Sequence, residues 1–341
     1  MAYIFKNLVF EGGGVKGLAY VGAMGILDQK GILSNIERVG GTSAGAINAV
    51  LLGLNYSLAE TEDILRNLDF KNFLDDDWGL IRDSNRLLHE FGWYKGDFFR
   101  DWIGKIIQDK TGNSESTFDE INRLKAEGGF KDLYFIGTNL STGFAEVFSF
   151  EHTPRKCVAD AVRISMSIPL FFASCRSDRG DIYVDGGLMD NYPIKLFDRQ
   201  KYVHAYSKEP LYYHEHNNAL QAAKKDISAY VYNMETLGFR LDSAKEIAVF
   251  RDQAEAAHKD IEDFFDYAWC LVEAILNVQD SAHLHSDDWQ RTVYINTLGV
   301  KTTEFNLSEA KKQALLHSGR ECTESYFIWY DNPANHPANR P

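Results

Sequence analysis

The chain has 341 residues, 45% of them apolar and 25% charged, and a formal net charge of −13. That is enough chain to bury a full core, in one large domain or two modest ones, with the composition of an ordinary globular protein. The acidic balance excludes nucleic acid as the main partner, because phosphate contacts dominate that affinity and need a basic face, but it leaves a membrane surface open, since a basic patch can sit within an acidic whole.

In chain order, YIFKNLVF at 3–10 predicts a buried strand and LAYVGAMGILDQKG at 18–31 a helix ended by Gly31. IERVGG at 36–41 predicts a second strand. AGAINAVLLGL at 44–54 predicts a second helix, apolar nearly all round and so buried. Strand, helix, strand, helix calls for a parallel sheet with right-handed crossovers. Residues 70–102 mix aromatics with charge and read as a surface excursion or lid. DLYFIGTNL and FAEVFSF read as a strand pair joined across Ser141-Thr142-Gly143, and DIYVDGG as a strand entering a glycine turn.

Residues 244–278 carry apolar side chains at alternating steps of three and four, the stripe of one long helix. It could seal a homodimer or pack on its own domain, and the second use is the commoner. RTVYINTLGV predicts one late strand. LSEAKKQALLHSG predicts a helix with Ser308 as its N-cap. The tail DNPANHPANRP is expected to be disordered. The domain reading is therefore a main unit over 6–200, a mostly helical extension with one late strand over 201–330, and a tail over 331–341.

Cys157, Cys175, Cys270 and Cys322 are far apart and show no metal-ligand spacing, so neither a zinc site nor a disulfide framework is expected. No signal peptide precedes the first strand, and the longest apolar run, AINAVLLGL, is too short to span a bilayer. The expectation is a cytoplasmic protein, with peripheral attachment to membranes and export without a cleavable signal both left open.

Two motifs compete for the chemistry. Gly12, Gly14 and Gly17 satisfy G-x-G-x-x-G, and Glu37 stands at the distance of a ribose-binding acid, the pattern of a dinucleotide-binding oxidoreductase. That acid, however, belongs at the carboxyl end of the second strand, and Glu37 precedes the strand. What does stand at the carboxyl end is Gly41-Thr42-Ser43-Ala44-Gly45, a G-x-S-x-G nucleophile elbow. The glycines relieve the crowding of a sharp strand-to-helix turn and leave the Ser43 hydroxyl at its tip. The blander reading makes Ser43 a plain N-cap.

A serine attacking an ester builds an oxyanion that needs N–H donors. If the first two strands are parallel neighbours, the Gly12-Gly13-Gly14 turn lies beside Ser43 and can present them, with the charge of Lys16 nearby. The serine also needs a base. None of the ten histidines stands in a convincing motif, although a triad is not excluded by counting. Asp185, at a strand end before Gly186 and Gly187, is the other candidate. Its ordinary pKa of about 3.9 would rise in a dry site, but Asp-Gly also opens many plain turns. Both readings of Asp185 stand on the residues alone.

EGGGVKG, GTSAG and VDGG, in this order and spacing, resemble the patatin-like phospholipases. ISMSIPLFFAS at 164–174 and DGGLMDNYPI strengthen the likeness, which covers roughly residues 6–200. The resemblance implies a three-layer α/β/α sandwich around a mostly parallel sheet and a lipid acyl hydrolase with a Ser-Asp dyad. Ser43 would be the nucleophile, Asp185 the base, and Gly12, Gly13 and Gly14 the oxyanion hole, with Lys16, Gly17, Gly41, Gly45, Gly186 and Gly187 in support. Lys16 stands where many members have arginine, and Glu11 where plant members have aspartate. No metal or cofactor is implied, calcium included, and the partner would be a phospholipid or another acyl-ester lipid at a membrane surface. Phe73, Trp78, Phe91, Trp93, Tyr94, Phe98, Phe99 and Trp102 would shape an acyl channel or touch a bilayer, unless they serve ordinary packing. A non-catalytic lipid-binding protein on the same fold is the remaining alternative.

Overall fold

A computed structural model of the chain describes residues 3–68, 90–223, 227–242, 287–302 and 304–341, with seven single positions between 261 and 279. The first elements follow the predicted order: β1 (Asn7–Phe10), α1 (Ala19–Gln29), β2 (Arg38–Gly41) and α2 (Ala44–Gly53), with a 3-10 turn at Gly14–Leu18 between the glycines and α1. Every residue of α2 is buried, as its all-round apolar face requires. α3 (Leu58–Arg66) opens on a capping box between Ser57 and Glu60.

β3 (Gly92–Tyr94), α4 (Asp97–Thr111) and α5 (Phe118–Gly128) come next, then the hairpin of β4 (Asp132–Asn139) and β5 (Phe144–Ser149) where the sequence predicts it. α6 (Val158–Ser165), β6 (Leu170–Phe172), β7 (Cys175–Arg176), β8 (Ile182–Asp185) and the single turn α7 (Gly187–Asp190) follow. The last elements are β9 (Ser207–Lys208), α8 (Leu211–Ala222), β10 (Tyr232–Asn233), β11 (Thr236–Asp242), β12 (Thr292–Asn296) and α9 (Glu309–Asp331).

Eight strands share one sheet in the order β12, β11, β1, β2, β4, β8, β7, with β5 also on β4. The pairs from β12 to β4 are parallel, and those of β4 with β5 and β8, and of β7 with β8, are antiparallel. This is the expected α/β architecture, a mostly parallel sheet flanked by helices. Leu8, Phe10, Val39 and Phe135 point into the main core with α1, α2 and α9. Val9 and Tyr134, on the opposite face, meet Ile194, Phe197 and Tyr202.

The C-terminal third departs from expectation in three places. It adds two strands to the sheet rather than one, because β11 inserts between β1 and β12. α9 runs past Gly319 to Asp331, since Gly319 is a contact point and not a stop. A Cβ there would stand 1.9 Å from the Ala19 carbonyl oxygen, and one on Gly22 would stand 1.9 Å from that of Leu316, so α1 and α9 approach backbone to backbone. The tail is not disordered. Asn339 is fully buried, its Nδ2 donates to Tyr326 Oη at 3.1 Å, and its carbonyl accepts from Tyr330 Oη at 3.0 Å.

The 244–278 stripe and its dimer reading fall outside the described residues, apart from a few single positions. So do Phe73 and Trp78. Of the aromatics beyond them, Phe99 is core in α4 while Phe91 and Phe98 are exposed. No helix among the described residues is long and apolar enough to cross a membrane.

The α1–α9 contact is testable. Gly319→Leu is expected to destabilise the protein by about 3 kcal/mol, the upper end for overpacking, because the obstacle is backbone. The urea midpoint should fall at unchanged slope, and an unchanged midpoint would refute the contact.

Candidate active site

The site follows from three strand ends. β1 and β2 are parallel neighbours, with Phe10 opposite Gly41, so the glycine turn after β1 lies against the elbow after β2. A Cβ on Gly12 would come within 3.0 Å of Ser43 Cβ. At the elbow, a Cβ on Gly45 would stand 2.3 Å from the Phe10 carbonyl oxygen and one on Gly41 would stand 2.5 Å from the Gly45 carbonyl, which accounts for both glycines of the motif. Ser43 sits at φ 54°, ψ −124°, a strained conformation for a residue with a side chain. It occupies the N-cap position of α2, yet its hydroxyl makes no cap hydrogen bond. The plain N-cap reading is therefore wrong, and the hydroxyl is left for other work.

The third end belongs to β8. Residues 134 and 135 of β4 pair with both β2 and β5, and residues 137–139 pair with both β5 and β8. β5 thus holds one edge of β4, and β2 and β8 share the other. β2 runs parallel to β4 and β8 antiparallel, so the two point at each other along that edge and their carboxyl ends meet. Ser43 and Asp185 come from those ends, and each is 5% exposed.

Asp185 Oδ1 accepts the Gly187 N–H at 2.7 Å, whereas Oδ2 is buried without a hydrogen-bond partner among the described residues. Burial pushes the carboxyl up to about 7, against a smaller downward pull from the Gly187 amide and the Ser43 hydroxyl. The hydroxyl is thus near enough to act on the carboxyl while standing short of a formed hydrogen bond, its direct contact being Met166 Sδ at 3.5 Å. No histidine among the described residues hydrogen-bonds to either side chain. His204 instead pairs at 2.8 Å with Glu37, the acid of the dinucleotide pattern, at the amino end of β2 and away from the glycine loop.

The three loop glycines are not equivalent. The Gly12 amide donates to the Asn191 carbonyl at 3.1 Å, and Asn191 Nδ2 donates back to the Gly12 carbonyl at 3.3 Å. The amides of Gly13 and Gly14 have no acceptor among the described residues. Of the expected oxyanion donors, Gly12 is therefore already engaged. Lys16 lies over Gly13, its Cε 3.4 Å from where a Gly13 Cβ would stand, and Gly17 packs against Ala44 and Asn48 of α2. Gly186 passes close to Ile136: a Cβ would stand 2.3 Å from its carbonyl oxygen. On Gly187 a Cβ would stand 2.8 Å from Asn191 Oδ1.

The motifs leave several supporting residues unassigned. Ser165 Oγ accepts the Ser43 amide at 3.0 Å, Met166 receives the Ser43 hydroxyl, and the Ser167 carbonyl accepts the Asp185 amide at 2.8 Å. One tripeptide thus touches both members of the pair. Buried Arg163 braces it, binding Ser167 Oγ together with the carbonyls of Gly96 (3.1 Å) and Ala173 (3.0 Å). Thr42 Oγ1 donates to the Asp190 carbonyl at 2.9 Å, and Gln279 Nε2 donates to those of Gly187 and Leu188 at 3.0 and 3.1 Å. The sequence signal for the tripeptide was its place within ISMSIPLFFAS; Gln279 gives none.

A family profile described as patatin-like phospholipase matches residues 8–198. Uncharacterized protein YqhO of Bacillus subtilis is 27% identical over 333 residues, covering 93% of this chain and 96% of that protein. Probable lipid hydrolase 463L of Invertebrate iridescent virus 6 is 25% identical over 192 residues, covering 56% of this chain and 63% of that one. Among solved structures, VipD from Legionella pneumophila superimposes with a TM-score of 0.60 at 17% identity, covering 95% of this chain and 67% of that chain, a likeness of fold.

The buried carboxyl has a pH signature. A folded-state pKa near 7 against about 3.9 unfolded means the folded protein binds the extra proton between those values, so stability falls as pH rises from 4 to 7. Asp185→Asn removes that slope. It is expected to match wild type at pH 4 and exceed it by about 2–4 kcal/mol at pH 8, read as urea unfolding at both pH values. Equal stability at pH 8 would show the carboxyl to be solvated.

Proposed function

The chain belongs to the patatin-like phospholipase family, and from that premise we propose that it is a serine lipid acyl hydrolase of the phospholipase A or lysophospholipase type. The observation that carries the proposal is the end-to-end meeting of β2 and β8, which sets a strained serine and a buried, uncompensated carboxyl side by side.

In the proposed route Ser43 Oγ attacks the carbonyl carbon of a fatty-acyl ester while Asp185 takes the hydroxyl proton. The carbonyl oxygen becomes an oxyanion held by the amides of Gly13 and Gly14, with Lys16 adding positive charge nearby. One such donor is worth about 3 kcal/mol in the transition state. As the tetrahedral intermediate collapses, the carbon–oxygen bond to the alcohol breaks and Asp185 returns its proton to the departing oxygen. A water then attacks the acyl-serine with Asp185 again taking a proton, and collapse releases the fatty acid and restores Ser43. A pKa near 7 suits both directions of transfer. No step calls for calcium. A substrate at a lipid surface would bring the protein to a membrane edge, where the exposed rings of Phe91 and Phe98 suit contact with lipid.

A fluorophosphonate probe should label Ser43, and Ser43→Ala should abolish labelling and cut ester turnover by about 10⁴-fold or more. Asp185→Asn should cost about 10²–10⁴-fold, while each His→Ala variant and added chelator leave turnover in place. Because the base works deprotonated, kcat/KM should rise tenfold per pH unit below about 7 and level off above it. An Asp185→Asn enzyme with wild-type turnover would refute the dyad.

A further inference from the structure

A cavity of about 280 Å³ lies between the glycine loop, α2, α3 and the segment entering α9. Its wall begins beside the catalytic turns, at Val15 next to Gly14 and at Ala44 next to Ser43. Ile47 continues it along α2, Leu65 from α3, and Phe305 and Leu307 from the segment before α9. Arg66 and Lys312 also line it, but Glu309 pairs with each of them at 3.0 Å, and Lys312 Nζ donates to the Arg66 carbonyl at 2.5 Å. Those bonds tie the start of α9 to the end of α3.

Phe305 also meets a ring on the segment that follows Met166. Its ring meets that of Phe171 edge-on, with centroids 6.0 Å apart. Phe171 follows Met166, the group to which the Ser43 hydroxyl turns, by five residues. The cavity is thus bounded on one side by the 3-10 turn that follows the glycine loop and on another by Phe305, whose ring meets Phe171 on the segment after Met166.

We infer that, on the hydrolase reading above, this cavity takes the acyl chain of the ester, and that Leu65 and Phe305 set the chain length it accepts. Val15, Leu18, Ile47, Leu65, Phe305 and Leu307 give it an apolar wall that an acyl chain can lie against, Asn48, Asn67 and Asn306 add polar groups, and the cations present are already paired. A cavity of about 150 Å³ holds a benzene ring, so about 280 Å³ holds on the order of ten chain carbons. Phe305 and Leu307 lie beyond residue 198, where the family match ends. The length preference of this enzyme is therefore set in part by a segment outside the family domain.

The test measures kcat/KM for p-nitrophenyl esters from acetyl to palmitoyl with the full chain, with Phe305→Ala and with Leu65→Phe, alongside Ser43 labelling by an ethyl fluorophosphonate. Each added methylene should raise wild-type kcat/KM roughly fourfold until the cavity fills near ten carbons. Phe305→Ala should move the optimum at least two carbons longer, and Leu65→Phe should lower the decanoyl-to-acetyl ratio about tenfold or more. The opposite signs keep the test decisive if one variant fails to fold. If Ser43 labels while the ratios agree within twofold across the three proteins, the acyl chain lies elsewhere and the cavity assignment falls alone. If no protein labels or hydrolyses any ester, the hydrolase reading itself fails.

Discussion

Two strands cannot occupy the same stretch of one edge, and the site depends on that exclusion. β2 fills the edge of β4 as far as Phe135, and β8 takes it up from Gly137 in the opposite direction. Each ends because the other begins, and each ends in a glycine-flanked turn. The distance between the serine and the carboxyl is therefore governed by the hydrogen-bond register of a third strand, which is stiffer than any loop. Rigid elements hold side chains in place better than loops do, and here the rigid element is a strand that supplies neither the serine nor the carboxyl.

The buried acids of this protein receive opposite treatment according to their work. Asp198 is gripped by both terminal nitrogens of Arg291, at 2.6 and 2.7 Å, in a fully buried pair. Glu235 accepts three backbone amides, from His204, Ala205 and Tyr206. Both are what a structural carboxylate needs, since an uncompensated buried charge is costly. Asp185 receives one amide on one oxygen. Burial likewise pushes Asp190, in the turn after β8, up to about 7, so among the described residues weak compensation gathers around that turn, and such shifts concentrate where chemistry is done.

Some of this was legible along the chain and some was not. The elbow is a local object: Gly41 and Gly45 are there because neighbouring backbone leaves no room for a Cβ, and their spacing announces it. Asp185 is legible as the end of a strand, but the direction of that strand is decided by β4, about 50 residues earlier, and no local signal reveals that it runs antiparallel. β11 did carry a local signal: Leu237, Phe239 and Leu241 alternate with Thr236, Gly238, Arg240 and Asp242, a strand pattern that the sequence reading passed over, and only the burial of all seven residues lay outside it. The difference between Gly12 and its two neighbours depends on Asn191, 179 positions away. The closing tail reads as disorder because its composition is that of a loop, while its order comes from Tyr326 and Tyr330, which α9 delivers.

The position of β11 also bears on how the molecule comes into being. β1 stands in the middle of the sheet only because a strand from residues 236–242 covers its free side, and the Leu241 amide donates to Glu11, the residue leading into the glycine loop, at 2.7 Å. A nascent chain that has left the ribosome only as far as residue 198 carries the whole matched region with an open flank on that central strand. Unpaired edges of this kind invite association, and pairing across such long sequence separation is slow. The glycine loop thus gains its flanking strand and the Leu241–Glu11 bond only after chain well beyond the matched region has been made.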